Sequence, residues 1–202
     1  VSGLTAKYQR TDIPELETVA RATLNTGFDS EVPIAVGDRK TFVNVSYADP
    51  EFLEVFALPF LAGNSRDALR APRSAVIASS LATRLFGSVA EAVGRNLRLQ
   101  DGREVTVRGV LGTLKQPSHL STGADNKMGI VRFEALISMD VFEAEAASDP
   151  IRQRILENWS VPFFATYAVL PRDGSFTAAD LRSRLAAFGP RHASYAGKPL
   201  QF

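Results

Sequence analysis

The stretch LATRLFGSVAEAVGRNLRL, Leu81 to Leu99, decides how the chain is divided. It reads as a short helix stopped by Gly87, a second helical turn stopped by Gly94, and then a strand. Leu81, Leu85 and Phe86 make the buried face of the first helix, and Ser79 or Ser80 caps it. Ser88 caps the second turn, Glu91 completes a capping box three residues on, and Val93 supplies an apolar anchor. Two glycine exits let the chain reverse in little length and enter the strand NLRL.

Outward from that strand, NLRLQDGREVTVRGVL is a hairpin whose register can be read. A two-residue Asp101-Gly102 loop would oppose Leu99 to Glu104 and Arg98 to Val105, mixing apolar and charged side chains on each face. A three-residue loop with Gly102 in the left-handed conformation instead pairs Leu97 with Val105 and Arg98 with Glu104, which is the expected arrangement. Upstream, SAVIAS is a short apolar strand. Downstream, Thr113 to Met128 gathers Pro, Ser, Gly and Asn and reads as irregular. RFEALISM is then a strand, and DVFEAEAASDPIRQRILENW is helical with an interruption near Asp149-Pro150.

The flanks carry the same punctuation. Ala6 to Gln9 reads as a first strand. TDIPELETVARATLNTG reads as a helix capped by Thr11 or Asp12, with Pro14 in its first turn, Gly27 at its exit, and Leu16, Val19, Ala20, Thr23 and Leu24 on one face. Strands follow near Val32 to Val36 and Thr41 to Tyr47, joined by Gly37-Asp38-Arg39-Lys40. In the second, Val43, Val45 and Tyr47 alternate with Asn44 and Ser46, as in a half-buried strand. ADPEFLEVFALPFLAG reads as a helix with Asp49 at the N-cap and Pro50 at N1. Phe52 and Phe56 share its core face, and Pro59 ends it. Near the C-terminus FFATYAVL is a strand, PRDGS a turn, and FTAADLRSRLAAFGP a helix. That helix has a Thr177/Asp180 box, Leu181, Leu185 and Phe188 inside, and a Gly189-Pro190 stop.

Composition narrows the function. The 202 residues are 45% hydrophobic and 22% charged, with 23 Lys+Arg against 22 Asp+Glu, a net charge of +1. This balance speaks against nucleic acid, which calls for a basic excess. Cysteine is absent, which excludes disulfides, thiolate metal sites and a cysteine nucleophile. No run of about 18 apolar residues is present to span a bilayer. VSGLTAKYQR lacks the pattern of a signal peptide. Val1 and the abrupt GKPLQF end are expected for a domain excised from a longer protein.

Catalytic motifs are missing. Neither GxxxxGK[ST] nor GxGxxG occurs, and there is no GxSxG elbow. The two histidines, His119 and His192, are far apart in sequence, so a two-His metal site would need the fold to join them. Ser118 and His119 are neighbours, but a nucleophile and its base are defined by spatial geometry rather than adjacency. Glu143 and Glu145 read as a solvated helix face rather than an acid/base dyad. No catalytic, cofactor-binding or metal residue is assigned, and no cofactor is expected. Any ligand-binding residues are left unassigned.

The ordered segments VSYADPEFLEVFALPFLAGNS, SAVIASSLATRLFG and AVGRNLRLQDGREVTVRGVL resemble the MacB-like periplasmic core domain of ABC transporter permeases. Asp49-Pro50 leads into the Phe-rich helix, and Gly63 closes its loop. Leu85-Phe86-Gly87 and Val93-Gly94-Arg95 follow, and Val107, Gly109 and Val110 close the hairpin. Pro117, Ser118, His119, Phe133, Leu136, Ile137 and Ser138 resemble the P-x-SH…F-x-LIS stretch of one branch, and Trp159 and Tyr167 fit that branch too. The likeness runs from about Asp12 to Phe188, with STGADNKMGI longer than the family pattern.

The resemblance implies an α+β fold in two parts. A porter-like subdomain would be built from residues 1–70 and 159–202, with a strand-rich sabre-like subdomain, residues 71–158, inserted. It also implies a non-enzymatic extracytoplasmic domain of an inner-membrane permease that transmits ATP-driven movement to export or signal. Its partners would be an ABC ATPase, a second permease copy, and a periplasmic adaptor with an outer-membrane exit protein. The alternative is a periplasmic sensor or docking module that binds a peptide or activates a cell-wall hydrolase. An exposed aromatic cluster near Phe60, Phe163 or Phe164 would favour that alternative. A hydrolase using Ser118 and His119 is a third reading.

Overall fold

The computed structural model of the chain describes residues 2–24, 31–114, 118–122, 131–159, 161–192, 194–195 and 198–199. The chain begins with α1 (Gly3–Asp12), where a strand was expected. The Ser2 hydroxyl caps it by accepting from the Leu4 N–H at 3.2 Å, and its buried side is Ser2, Thr5, Ala6 and Gln9. That is helical spacing carried by small and polar residues, which hides it from a hydrophobic pattern. A Cβ on Gly3 would lie 3.0 Å from the Phe164 ring and 3.1 Å from the Leu156 carbonyl, so a glycine start lets α1 pack closely.

The expected helix over residues 11–27 is replaced by β1 (Thr18–Thr23). Val19, Ala20, Ala22 and Thr23 are all buried, because both faces of this strand are covered. Two-sided burial removes the period-2 signal, and the apolar spacing then imitates a helix. Gly27, the expected exit, lies outside the described residues.

The two expected strands form the hairpin β2 (Glu31–Val36) and β3 (Arg39–Ala48), but Arg39 and Lys40 belong to β3, and Val36 lies opposite Arg39 across a two-residue Gly37-Asp38 turn. Gly37 has φ +57°, the conformation for which a tight hairpin turn selects glycine. From Val43 to Ser46 β3 is buried on both faces rather than half-buried. The Asn44 N–H donates to Glu134 Oε2 at 3.2 Å and the Ser46 hydroxyl to the Arg132 carbonyl at 3.0 Å. The next helix, α2 (Phe52–Val55), is a single turn, and β4 (Phe60–Gly63) follows.

β5 (Ser74–Ala78) is fully buried and runs into α3 (Ser79–Phe86), which exits through Gly87 at φ +88°. Neither Ser79 nor Ser80 caps α3, since both lie inside it and Ala78 precedes it. Ser88 accepts from the Glu91 N–H at 3.3 Å. Ala92, fully buried, is the anchor here, whereas Val93 is 39% exposed. β6 (Asn96–Arg98) and β7 (Glu104–Leu111) pair Leu97 with Val105 and Arg98 with Glu104 across the three-residue loop.

The rest of the chain is β8 (Leu120–Ser121), β9 (Val131–Arg132), β10 (Ala135–Ser138), α4 (Met139–Ala146), α5 (Pro150–Glu157), β11 (Phe164–Val169), α6 (Ala178–His192), β12 (Ser194–Tyr195) and β13 (Lys198–Pro199). The break between α4 and α5 falls at Asp149, which accepts from the Ile151 and Arg152 N–H groups. The Thr177/Asp180 box is reciprocal. α6, however, continues past Gly189-Pro190 to His192. Proline there interrupts only the final turn, and that turn is held by Asp12, which pairs with Arg191 at 3.1 Å and His192 at 2.5 Å.

The main sheet closes on itself. β3 pairs with β10 in parallel, β10 with β5, β5 with β7, β7 with β6, β6 with β2, and β2 with β3. Ile34, Val43, Val45, Ile77, Leu97, Val105, Val107 and Ile137 fill the ring with Leu81 and Leu85 of α3. Its other side buries Val76, Leu111, Phe133 and Leu136 with Phe52 and Leu53 of α2. β1 joins β3 through Ala22 opposite Ala48, and β11 pairs with β1 along all of its length.

Candidate functional site

Where β3 leaves the sheet, the chain buries a carboxylate. Asp49 was expected to cap α2, yet only its backbone carbonyl takes the Phe52 N–H. Its side chain turns the other way. Asp49 Oδ2 accepts from the Arg21 N–H at 2.9 Å and from Arg10 Nη2 at 2.9 Å, while Oδ1 accepts from Arg21 Nη2 at 2.9 Å. Asp49 is only 4% exposed, and a buried charge is tolerable when it is paired and hydrogen-bonded in this way.

The ion pairs extend on both sides. Arg21 reaches Glu143 of α4 at 2.6 Å. Arg10 reaches Glu51 at 3.7 Å, Arg70 lies 3.8 Å from Glu51, and Arg70 also pairs with Glu54. Burial pulls the Arg21 guanidinium down, but its hydrogen bonds and charge pairing with Asp49 and Glu143 outweigh this and leave its pKa raised. One charged chain thus joins α1, β1, α2, the segment before β5, and α4.

A second cluster lies on the far side of α4. Glu143 is exposed, but Glu145 is buried, against the expectation of a solvated pair. Glu145 accepts from the Tyr47 hydroxyl at 3.3 Å and pairs with Arg152 at 2.9 Å. Burial pushes the Glu145 carboxyl above the ordinary carboxylate range, against the pull of Arg152. Burial likewise raises the Tyr47 phenol, with Glu145 adding to it. These groups wall an open cleft of about 440 Å³ together with Leu99, Asp101 and Arg103.

Residues singled out for chemistry stay apart. His119 is exposed against Phe56 and Tyr167, at ring distances of 5.6 and 5.5 Å. His192 stacks on Tyr8 at 4.3 Å and bonds Asp12. The Ser118 hydroxyl accepts from the Leu120 N–H at 3.0 Å, a local turn contact. Among the described residues no group of three or more His, Asp or Glu side chains could hold a metal. Of the irregular stretch Thr113–Met128, residues 115–117 and 123–128 lie outside the described residues.

The aromatic residues whose exposure would favour a docking module are packed. Phe164 is fully buried, and Phe163 lies against Phe142 and Phe164. Phe60 fills the space above Gly109, where a Cβ would come within 2.4 Å of its ring. Trp159 stacks on Tyr8 at 5.6 Å. Among the described residues the large exposed apolar side chains are instead Phe42, Leu61, Val93 and Ile151. No helix among the described residues is long and apolar enough to cross a membrane.

Comparison with known proteins identifies the fold. A domain of a permease protein from Porphyromonas gingivalis aligns over 95% of this chain and 77% of its own, with TM-score 0.67 and 23% identity. The periplasmic region of MacB from Actinobacillus actinomycetemcomitans aligns over 97% of this chain and 75% of its own, with TM-score 0.60 and 13% identity. The extracellular domain of the noncanonic ABC-type transporter YknZ from Gram-positive bacteria covers 100% of this chain and 89% of its own, at TM-score 0.58 and 13% identity. No curated protein sequence matches the chain. The model of the MacB-like periplasmic core domain matches residues 3–186, and the chain belongs to that family. It is a periplasmic domain of a MacB/FtsX-like ABC transporter permease with an α+β fold.

Proposed function

From its place in that family we infer that the domain transmits ATP-driven movement of its permease to the outer side of the inner membrane, to export or to signal. The observation that carries this reading is the charged chain centred on Asp49. It links α1 to β1 through Arg10, Asp49 and Arg21, and then to α4 through Glu143. A displacement applied at α1 therefore reaches α4 through charge-assisted hydrogen bonds centred on the buried Asp49 rather than through loops. Rigid coupled elements of this kind are what a two-state membrane part needs in order to act at a distance.

In this proposal the energy comes from an ABC ATPase, fused or separate, and the permease works as a pair of copies. A periplasmic adaptor and an outer-membrane exit protein complete an export route. Residues 1–70 with 159–202 form the porter-like part and 71–158 the sabre-like part. The link from Arg21 to Glu143 then crosses between the two parts, as does the pairing of β3 with β10.

The test is Asp49→Asn in the full-length permease assembled with its ATPase. ATP hydrolysis should persist while the output, cargo efflux or activation of a cell-wall hydrolase, falls. Equal loss of both activities, or of neither, would remove the relay from the mechanism.

A further inference from the structure

We propose that the outer face of β2, β3 and β6 is a docking site for an extended protein segment carrying a carboxylate and, two residues along, an apolar side chain. One row of side chains across three strands carries this reading. Lys40 on β3 and Arg98 on β6 are both directly opposite Ala35 of β2, one on each side. Strands lie about 4.8 Å apart, so two cations flank a methyl floor across a span of about 10 Å. Ala35 is 6% exposed beneath them.

Among the described residues, Lys40 and Arg98 make no ion pair, and Arg98 Nη2 reaches only the Gly37 carbonyl at 3.4 Å. The nearby carboxylates are Asp38 in the turn and Glu104, which is opposite Arg98 in register but accepts from Asn96 Nδ2 at 2.9 Å. A carboxylate between Lys40 and Arg98 would meet two cations that no carboxylate among the described residues pairs with.

The next row on the same face is apolar, with Phe42 opposite Pro33. Phe42 is 65% exposed although it sits within a strand. Two residues along a strand span about 6.7 Å, so a partner chain lying along this face matches the acidic and apolar positions at i and i+2. Where β2 and β6 part, a hollow of about 270 Å³ opens beside Lys40, Arg98, Pro33 and Leu99 and gives the segment depth. Pro33 has no N–H to offer on this strand, so recognition runs through side chains rather than through an added strand. This surface stands apart from the Asp49 relay, and its test does not depend on movement being transmitted.

The probe is the capped peptide acetyl-TETLT-amide, titrated into the isotope-labelled 202-residue chain and followed by NMR. Shifts should gather at Ala35, Lys40, Phe42 and Arg98. The peptide with Gln in place of Glu should bind about 10-fold more weakly, the equivalent of about 1.4 kcal/mol. Lys40→Gln with Arg98→Gln should lose binding by a similar factor, and Phe42→Ser should weaken both peptides equally. No shifts at this face, or equal binding of the Glu and Gln peptides, would overturn the proposal. So would binding of Lys40- and Arg98-dependent kind to phosphatidylglycerol vesicles with none to the peptide, because the partner would then be a membrane surface.

Discussion

Asp49 and Arg21, 28 residues apart in sequence, meet twice in the fold: the carboxylate accepts from both the backbone N–H and the guanidinium of the same arginine. Removing the acid therefore orphans more than removing the base. Asp49→Ala leaves the Arg21 backbone N–H without its acceptor, the buried Arg21 guanidinium with Glu143 alone, and Arg10 without one of its contacts. It should cost about 3–5 kcal/mol. Arg21→Met leaves Asp49 with Arg10 and the backbone N–H, so it should cost about half as much. Urea unfolding of the two variants checks the order, and equal costs would show that Arg10 does not share the load.

Two glycines with the same left-handed backbone should respond differently to alanine. Gly87 and Gly63 have φ +88° and +86°. A Cβ at Gly87 meets nothing within 4 Å, whereas at Gly63 it would lie 2.1 Å from the Arg108 carbonyl and 2.7 Å from the Gly109 Cα. Gly87→Ala should cost only the conformational term of about 1–2 kcal/mol. Gly63→Ala adds a clash with backbone of the paired strand and should cost about 1–3 kcal/mol more. Thermal unfolding of both variants measures the difference.

The Glu145 carboxyl titrates above its ordinary value of 4.5, because burial disfavours its charged form. Its protonated form is thus favoured in the folded state. The stability this contributes is fully present below the ordinary value and is lost as pH rises through the raised one. Glu145→Gln cannot titrate. The stability of the natural chain relative to this variant should therefore fall as pH rises from the ordinary carboxylate value through the raised one. Unfolding curves at several pH values test the sign, and a rise over that window would contradict it.

Locally encoded features were legible. The three-residue loop containing Gly102, the Thr177/Asp180 box and the Asp149-Pro150 break each depend on a few adjacent residues. Elements whose burial is set by the tertiary fold were not. The buried face of α1 is Ser2, Thr5, Ala6 and Gln9, which carries no apolar period. β1 is covered on both faces and so loses its alternation. Asp49-Pro50 before an apolar run is a sound N-cap pattern, and nothing local shows that Arg10 and Arg21 will claim the carboxylate. Glu145 reads as a helix-surface residue until β3 brings Tyr47 against it from 98 residues away. Phe42 was equally hidden, since its exposure follows from the face that β3 turns outward.

The central claim, that movement is transmitted through the Asp49 relay, is tested most directly by a distance. The chain contains no cysteine, so Arg154→Cys on the exposed side of α5 supplies a single spin-labelling site in this domain of each copy of the full-length permease. Pulsed EPR then measures the distance between the two copies with and without ATP. With Asp49 intact the distance should shift on ATP binding, and with Asp49→Asn the shift should shrink while ATP hydrolysis continues. An unchanged shift in the Asp49→Asn permease, or no shift in either, would contradict the relay.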